Sequence, residues 1–377
     1  MSLLAGVLLG LALFGSVIAS VEVFTLRSLR RRKFDAPVRW PGISVLKPLA
    51  GLDDELKENL NSHLAIDYPG EWELLLGVRS TQDPAYNLAR AFVMEHAPRA
   101  RLVLQEGEPG FNPKVNQLIS LTRQARFEIL AGTDSNVRVH PALLREHAAM
   151  LSPVQMGLSS HTFMGSGEET VWAAFDNMML CCFVAPNLAM GQRMSNPQIV
   201  GKSFAVKRQA LEASGGWEGV KDLLAEDQRL GVRLGEAGYS MELGVNPVLN
   251  IQKTTSLRTF FNRHARWAMI RTRILVPEVY FEPVLNPVAL AVLATLLAPQ
   301  VPLVWAALLA FVGFSVAHTQ ACAHIGRGQL FAWKYALLIP VRDVIFFAVW
   351  LRGLTMKEVS WRGNRFWVKK ETRLEPR

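Results

Sequence analysis

The first stretch of the chain constrains it more than any other feature. Residues 3–21 carry no charged side chain, and about 20 apolar residues in a helix are enough to cross the hydrocarbon core of a bilayer. Arg27, Arg30, Arg31, Arg32 and Lys33 follow directly. A cleaved secretion signal places its positive charges ahead of the apolar run and a small-residue cleavage site behind it. Here the charges come after. The run reads as a retained anchor, residues 1–26, with its C-terminal side in the cytoplasm, since basic flanks stay inside. Two further apolar blocks lie near the other end. Residues 284–316 are interrupted by Pro299-Gln-Val-Pro302, and residues 330–351 contain Arg342 and Asp343. Lys357, Arg362, Arg365, Lys369, Lys370 and Arg373 come next. Basic flanks on both sides predict an even number of crossings within 284–352, as two or three segments, ahead of a basic cytoplasmic tail at 353–377. The interrupted block reads either as one kinked span or as a re-entrant pair.

The chain has 377 residues, is 50% hydrophobic and carries a net charge of +9, which is more apolar than an ordinary soluble enzyme. The positive charge clusters beside the apolar blocks, so anionic lipid accounts for it better than nucleic acid does. Cys181 and Cys182 are adjacent and Cys322 lies beyond the second apolar block. No disulfide framework is visible, in keeping with a reducing compartment.

Between the apolar ends, short apolar strands alternate with helical stretches. Strands are predicted at 43–46, 72–78, 102–104, 127–131 and 154–158. Helices are predicted at 56–64, begun by Asp53 or Asp54, and at 84–96, 114–123 and 141–150. This alternation is that of an α/β fold, a mostly parallel sheet covered by helices. Ligands bind such sheets beyond the carboxyl ends of the strands.

The polar residues gather there. Asp83 lies in "RSTQDPA" after the second strand, and Asp134 in "GTDSN" after the fourth. Glu226 and Asp227 open a helix in "LLAEDQRLGVRLGEAG", where the dipole favours anions. Three separated carboxylates facing one crevice suit a divalent cation with a diphosphate ligand, plus a general base. Each also has a plain structural reading: Asp83 as a helix cap before Pro84, Asp134 as a turn residue, Glu226 and Asp227 as first-turn acids. In "FNRHARW", Arg263, Arg266 and Trp267 share one helix face at i, i+3 and i+4. A guanidinium pair beside an indole suits a phosphate-bearing ligand; a basic helix resting on a membrane surface is the alternative.

Taken together, these segments resemble the ceramide glucosyltransferases and their bacterial lipid-glycosyltransferase relatives. The likeness runs through "PGISVLKPLAGLDDELKENL", "DYPGEWELLLGVRSTQDPA", "GFNPKVNQL", "GTDSNVRV", "LLAEDQRLG" and "RHARW", in the family's order and spacing. It implies a GT-A fold in a cytoplasmic domain at 41–275, in a bacterial inner membrane. It also implies inverting transfer of a sugar, glucose first among donors, from a UDP-sugar to the hydroxyl of a membrane lipid such as ceramide. Asp83 would bind the uridine end, Asp134 would hold Mg²⁺ or Mn²⁺ against the diphosphate, and Asp227 would be the general base. Arg263, Arg266 and Trp267 would close over the diphosphate and acceptor, with Lys47 and Lys114 as further donor contacts. The sequence departs from many relatives in having Ser135 and Asn136 where an Asp-x-Asp is usual, and in opening the R-x-x-R-W motif with Arg263 where processive polysaccharide synthases carry Gln. A hopanoid glycosyltransferase using UDP-N-acetylglucosamine, a polysaccharide synthase and a non-catalytic membrane scaffold are the alternatives.

Two motifs are set aside. "VGKS" at 200–203 ends like a phosphate-binding P-loop, but position 196, which needs glycine, is Asn196; it reads instead as the lead into a site-lining strand. His318, Cys322 and His324 lie beside an apolar block without a fourth ligand, so packing explains them better than zinc. "CCFVAP", with Trp172 and Phe175 at helical spacing before it, reads as core.

Overall fold

A computed structural model describes residues 3–275, 277–361 and 364–377; Arg362 lies outside the described residues. The N-terminal run is one helix, α1 (Leu3–Leu29). The chain then alternates through β1 (Ile43–Pro48), α2 (Leu56–Leu64), β2 (Trp72–Val78), α3 (Tyr86–His96), β3 (Ala100–Leu104), α4 (Pro113–Gln124) and β4 (Ile129–Thr133). After β5 (Val137–Arg138), α5 (Leu143–Met150) and β6 (Met156–Ser166) comes a continuous helical stretch, α6 (Val171–Met179) and α7 (Ala185–Arg193), joined by a π turn. β7 (Ser203–Lys207), α8 (Arg208–Ala213), α9 (Glu226–Glu236), β8 (Ser240–Ile251) and α10 (Leu257–Ile274) complete the sheet domain.

Eight strands form one sheet in the order β3-β2-β1-β4-β7-β6-β8-β5. β1 runs parallel to β2 and β4, β2 to β3, and β6 to β8; β7 and β5 run against them. All residues of β1, β2 and β4 are buried, as expected of strands covered by helices on both faces. Winding proceeds from β1 to β2 and β3 on one side, then reverses to β4 on the other. That reversal parts the loops beyond β1 and β4 and leaves a crevice at their carboxyl ends.

The alternation 43–150 matches the sequence reading to within a few residues at most boundaries. The expected strand at 154–158 starts later and runs on to Ser166, and β8 carries no expectation at all. The start of α2 also differs. Its first turn is led by Glu55 in left-handed backbone (φ 52°) without a side-chain cap. Asp53 instead accepts the Ser135 hydroxyl, and Asp54 Oδ2 accepts the Lys253 amide at 2.7 Å. Both carboxylates are drawn to loops around the crevice.

Beyond α10 the chain makes a 3₁₀ turn (Glu278–Leu285), α11 (Pro287–Leu297), α12 (Pro302–Arg327), α13 (Trp333–Ala336) and α14 (Ile339–Thr355). Among the described helices, α1, the α6–α7 stretch Val171–Arg193 and α12 are long and apolar enough to cross a membrane. α6–α7 is buried inside the protein for 78% of its apolar window, so it is core. α11 has 11 residues, about 16 Å of rise and half the hydrocarbon thickness. It is bent by 76° from the turn before it. The Pro-interrupted block is therefore a short element, bent from the turn before it, followed by a full-length helix. Ala5 of α1, Ala294 and Ala298 of α11 and its following turn, and Val304 of α12 share one small buried cluster. The opposite ends of α1 and α12 both meet the sheet domain. Arg30 Nη1 donates to the Val245 carbonyl at 2.6 Å, and Arg327 pairs with Glu168 at 2.9 Å. The third apolar block does not add a long helix of its own: α14, with 17 residues, packs along α10.

Residues 358–361 and 364–376, read from charge as part of a tail, fold instead. β9 (Glu358–Trp361), β10 (Asn364–Val368) and β11 (Leu374–Pro376) form an antiparallel sheet. Val359, Phe366, Val368 and Leu374 pack with Leu224 and Met269.

Candidate active site at the switch point

Asp134 follows the last residue of β4, next to the crevice. Its amide donates to the Lys202 carbonyl at 3.2 Å. Its carboxylate meets two ammonium groups, Lys114 Nζ at 2.8 Å and Lys202 Nζ at 3.1 Å. Burial alone would raise this carboxyl, but Lys114 and Lys202 hold it well below the usual carboxylate range. Lys202 Nζ also donates to Asn136 Oδ1 at 3.0 Å. One cation thus sits between two hard oxygen donors, two residues apart. Such donors fit Mg²⁺ or Mn²⁺, and the ammonium marks a place where positive charge is already accommodated.

Lys114 is the hub. Asn112 caps α4, accepting the Lys114 and Val115 amides at 3.0 and 3.2 Å, and Pro113 fixes φ at the first helical position. Nζ then reaches Asp134, the Gly201 carbonyl at 2.9 Å and Glu226 at 3.5 Å. Glu226 also accepts Asn112 Nδ2 at 3.1 Å. Burial pushes the Glu226 carboxyl up to about 7, with Lys114 pulling down and the Asp227 charge pushing up. Asp227, in the first turn of α9, accepts the Gly201 amide at 2.6 Å and the Gln228 amide at 2.7 Å. Gly201 lies close against this pair: a Cβ would lie 2.8 Å from Lys114 Nζ and 3.1 Å from Asp227 Oδ2.

On α10 the two arginines part. Arg263 is engaged, donating to Asp176 of α6 and to Gln252 Oε1 at 2.9 Å, while His264 Nε2 meets the other Asp176 oxygen at 2.7 Å. Arg263 therefore holds α10 against α6 rather than facing the crevice free. Arg266, one turn on, lies near Arg263 and Glu226, whose charges act on it in opposite directions, and burial lowers its guanidinium. Among the described residues it has no hydrogen-bond or ion-pair partner. Trp267 packs edge-on against His264, ring centroids 5.1 Å apart.

Two expected donor contacts are also engaged within the protein. Lys47 is fully buried, and its ammonium is spent on the Asp134 carbonyl at 2.7 Å and the Val137 carbonyl at 3.3 Å. It shapes the Asp134 loop from beneath; burial brings its pKa down to about 7. Asp83 Oδ1 accepts the Ala85 and Gly51 amides, each at 2.9 Å. That is the helix-start role, and it also ties the β1–α2 loop to α3 on the same end of the sheet. The structure brings together Asp134, Lys114, Asp227 and Arg266; Asp83 sits apart in the neighbouring loop.

Sequence reasoning missed Gly201 and Lys202 although "VGKS" was in view, because it was weighed only as a P-loop tail and a lead into a strand. It also missed the C-terminal sheet, whose contact with this site has no motif. The Thr372 carbonyl accepts the Leu224 amide at 3.0 Å and its hydroxyl accepts the Ala225 amide at 3.1 Å, directly before Glu226. His318 and Cys322, 3.7 Å apart at Nε2 and Sγ, pack within α12. Between α1, α10, α12 and α14 lies a recess lined by Glu22, Phe183, His264, Arg271, Phe346 and Trp350 among others.

The sequence model described as Glycosyl transferase family 21 matches residues 7–374. The chain belongs to that family. It is 29% identical over 245 residues to "Ceramide glucosyltransferase 1" of Caenorhabditis elegans, covering 64% of this chain and 52% of that protein. It is 23% identical over 316 residues to "Ceramide glucosyltransferase" of Komagataella phaffii, covering 67% and 61%. The chain thus spans about half to three fifths of the length of these curated relatives. Among solved structures it resembles "Mannosyltransferase PcManGT from Pyrobaculum calidifontis in complex with GDP-Man and Mn2+", with a TM-score of 0.55, 17% identity, and coverage of 94% of this chain and 99% of that one. The sheet domain of this family 21 chain therefore has a GT-A-like α/β fold.

Proposed function

We propose that this family 21 protein is an inverting glycosyltransferase that moves a sugar, glucose first among candidates, from a UDP-sugar to the hydroxyl of a membrane lipid such as ceramide. The observation that carries this reading is the cluster at the switch point: Asp134 held by Lys114 and Lys202, Asp227 beside them, and Arg266 at the edge, unpaired among the described residues. A nucleoside diphosphate leaves with growing negative charge, and preorganised cations in a water-poor site stabilise that charge. Lys114, Lys202 and Arg266 are the cations, and Asp134 with Asn136 would hold Mg²⁺ or Mn²⁺, which supplies further charge neutralisation at the diphosphate. A lipid alcohol is a weak nucleophile until a base is set against it. Asp227 takes that proton as the alcohol oxygen attacks C1 from the side opposite the leaving diphosphate. Asp83 belongs to the nucleoside end of the donor and Trp267 to closure over the acceptor.

The length and apolar composition of α1 and α12 support membrane embedding, and the basic flank after α1 favours a cytoplasmic site, in keeping with a bacterial inner membrane. The recess between α1, α10, α12 and α14 mixes apolar and polar walls, which suits a lipid acceptor with an apolar body and a polar head. The test is to incubate the purified protein in lipid nanodiscs with Mn²⁺ and labelled UDP-glucose or UDP-N-acetylglucosamine, offering ceramide and a hopanoid polyol in turn. Glycolipid in the ceramide and UDP-glucose arm supports the reading, and product in the hopanoid arm alone reassigns the acceptor. Asp227→Asn should abolish transfer while UDP-sugar binding stays near normal. Retained turnover removes Asp227 as base, and no product with any pair favours a scaffold.

A further inference from the structure

A second cluster of ligand-type side chains lies where the end of α1 meets the sheet domain. His140 follows β5, Glu146 is in α5 and His161 is midway along β6. One ring nitrogen of each histidine and a Glu146 carboxylate oxygen lie within 4.8 Å of one another. His140 Nε2 is buried without a hydrogen-bond partner among the described residues, which leaves its lone pair open to an ion. Glu146 Oε2 is aimed by the Val245 and Asn246 amides, both at 3.2 Å, and its other oxygen takes the Asn246 side-chain amide. His161 Nε2 lies 3.2 Å from Glu146 Oε2.

The backbone makes room for this group. A Cβ on Gly244 would fall 2.4 Å from His161 Nε2 and 3.2 Å from Glu146 Oε2, and the β6–β8 ladder shifts register between His161 and Phe163. His147 stands edge-on to His161 with ring centroids 4.5 Å apart, held at Nδ1 by Ser159 Oγ at 2.8 Å. His147 Nε2 and His161 Nδ1 are also buried and unpartnered among the described residues. A hydrogen-bonded His–Glu network alone leaves these ring nitrogens unsatisfied, and buried polar atoms without partners call for an explanation such as an ion.

We propose that His140, Glu146 and His161 bind one divalent transition-metal ion, with Zn²⁺ best suited to the two-histidine, one-carboxylate set, and that His147 or a water completes a tetrahedron. The ion staples α5 and β6 to the β8 turn at 244–246. Arg30 docks on that same turn through the Val245 carbonyl and Asn246 Oδ1 at 2.8 Å, so the site stiffens the joint between anchor and sheet domain. It stands independently of the glycosyl-transfer reading.

Untagged protein purified without chelators is assayed for bound metal by mass spectrometry. Metal-stripped protein is then titrated with Co²⁺ while the visible absorption of tetrahedral cobalt is followed. About one zinc per chain, cobalt bands in the wild type, and a Co²⁺ affinity lowered about 100-fold or more in His161→Ala are the expected results. The half-exposed His140→Gln should weaken binding in the same direction, and Asp134→Ala should leave it intact. Only trace metal together with featureless cobalt spectra in the wild type overturns the proposal, whether or not the variants fold. So does full metal retention in folded His161→Ala.

Discussion

The hold of the C-terminal sheet on the loop that carries Glu226 and Asp227 can be altered at Thr372. This buried residue accepts the Leu224 amide with its carbonyl and the Ala225 amide with its hydroxyl, the latter at 3.1 Å. Its backbone is left-handed, φ 61°, a conformation that costs a β-branched residue about 1–2 kcal/mol. Thr372→Val keeps the shape and the strain and removes only the hydroxyl acceptor. The Ala225 amide is then buried without a partner, at a cost of about 1–3 kcal/mol. Thr372→Gly loses the same bond but regains about 1–2 kcal/mol by relaxing the backbone, so it should be milder than Val. That inverts the usual order at a buried position, where the larger truncation costs more. Thr372→Asn keeps an oxygen and tolerates left-handed backbone, and should lie nearest the wild type. The assay is thermal unfolding in nanodiscs followed by tryptophan fluorescence, paired with kcat and donor KM. If the loss falls on placing Asp227, kcat in the Val variant drops about tenfold per 1.4 kcal/mol with donor KM little changed. A Val variant equal to wild type in both readouts, or a Gly variant less stable than Val, refutes the argument.

Glu226 gives a pH signature. Its carboxyl is raised from 4.5 to about 7 in the fold, so the folded state binds the proton more tightly than the unfolded chain does. The stability this contributes is complete below about pH 4.5 and is lost as pH rises through about 7. Glu226→Gln, which mimics the protonated form, should match the wild type in unfolding at pH 5 and exceed it at pH 8 by up to about 3 kcal/mol; a pH-independent difference counts against the assignment. Gly201→Ala should push Lys114 and Asp227 apart and cut kcat by about ten- to a hundredfold, in line with the 1–3 kcal/mol of overpacking, and an unchanged rate would show that the contact yields freely. Arg266→Ala should weaken UDP binding, measured by calorimetry, by about 1–3 kcal/mol, more than Arg263→Ala, because Arg263 is already bound to Asp176. Equal effects would place both guanidinium groups on the ligand.

The part of the fold that was legible is the part governed by local pattern. β1 to β4 are short apolar runs separated by amphipathic helices, and α1 is an uninterrupted apolar run, so periodicity and length alone place them. A strand was expected after "VGKS" and β7 begins at Ser203, but β8 escaped because its register is set by distant partners: it bulges around His161 of β6. In the site, Asp134 was picked out by its place after an apolar strand and Lys114 by the family resemblance, and the structure sets the two 2.8 Å apart. Lys47 misled for a physical reason. A lysine at the end of a buried strand reads as reaching out of it, yet three oxygens, from Thr133 at the end of β4, Asp134 in the loop and Val137 at the start of β5, turn it inward. Lys202 was passed over because its partners, Asp134 and Asn136, are 68 and 66 residues away in sequence (202 − 134 and 202 − 136).

That long-range contact bears on how metal and donor bind under the proposed function. Lys202 Nζ sits 3.1 Å from Asp134 and 3.0 Å from Asn136, between the oxygens assigned to the divalent ion, and Lys114 holds the other Asp134 oxygen at 2.8 Å. An ion arriving alone must displace one ammonium and then face both at close range. An ion arriving with a nucleoside diphosphate meets neither difficulty, because the released ammonium groups pair with phosphate oxygens. Metal and nucleotide must therefore bind with positive coupling, and by linkage each raises the affinity of the other by the same factor. A coupling of about 1–3 kcal/mol corresponds to roughly 5- to 150-fold. Mn²⁺ binding followed by electron paramagnetic resonance, with and without UDP, measures it directly. Lys202→Met should tighten Mn²⁺ binding in the absence of UDP and shrink the coupling, whereas Asp134→Ala should remove Mn²⁺ binding at this position in both conditions. If the wild type binds Mn²⁺ equally well with and without UDP in an Asp134-dependent way, the ammonium groups are not in competition with the ion, and Asp134 serves the lysines rather than the metal.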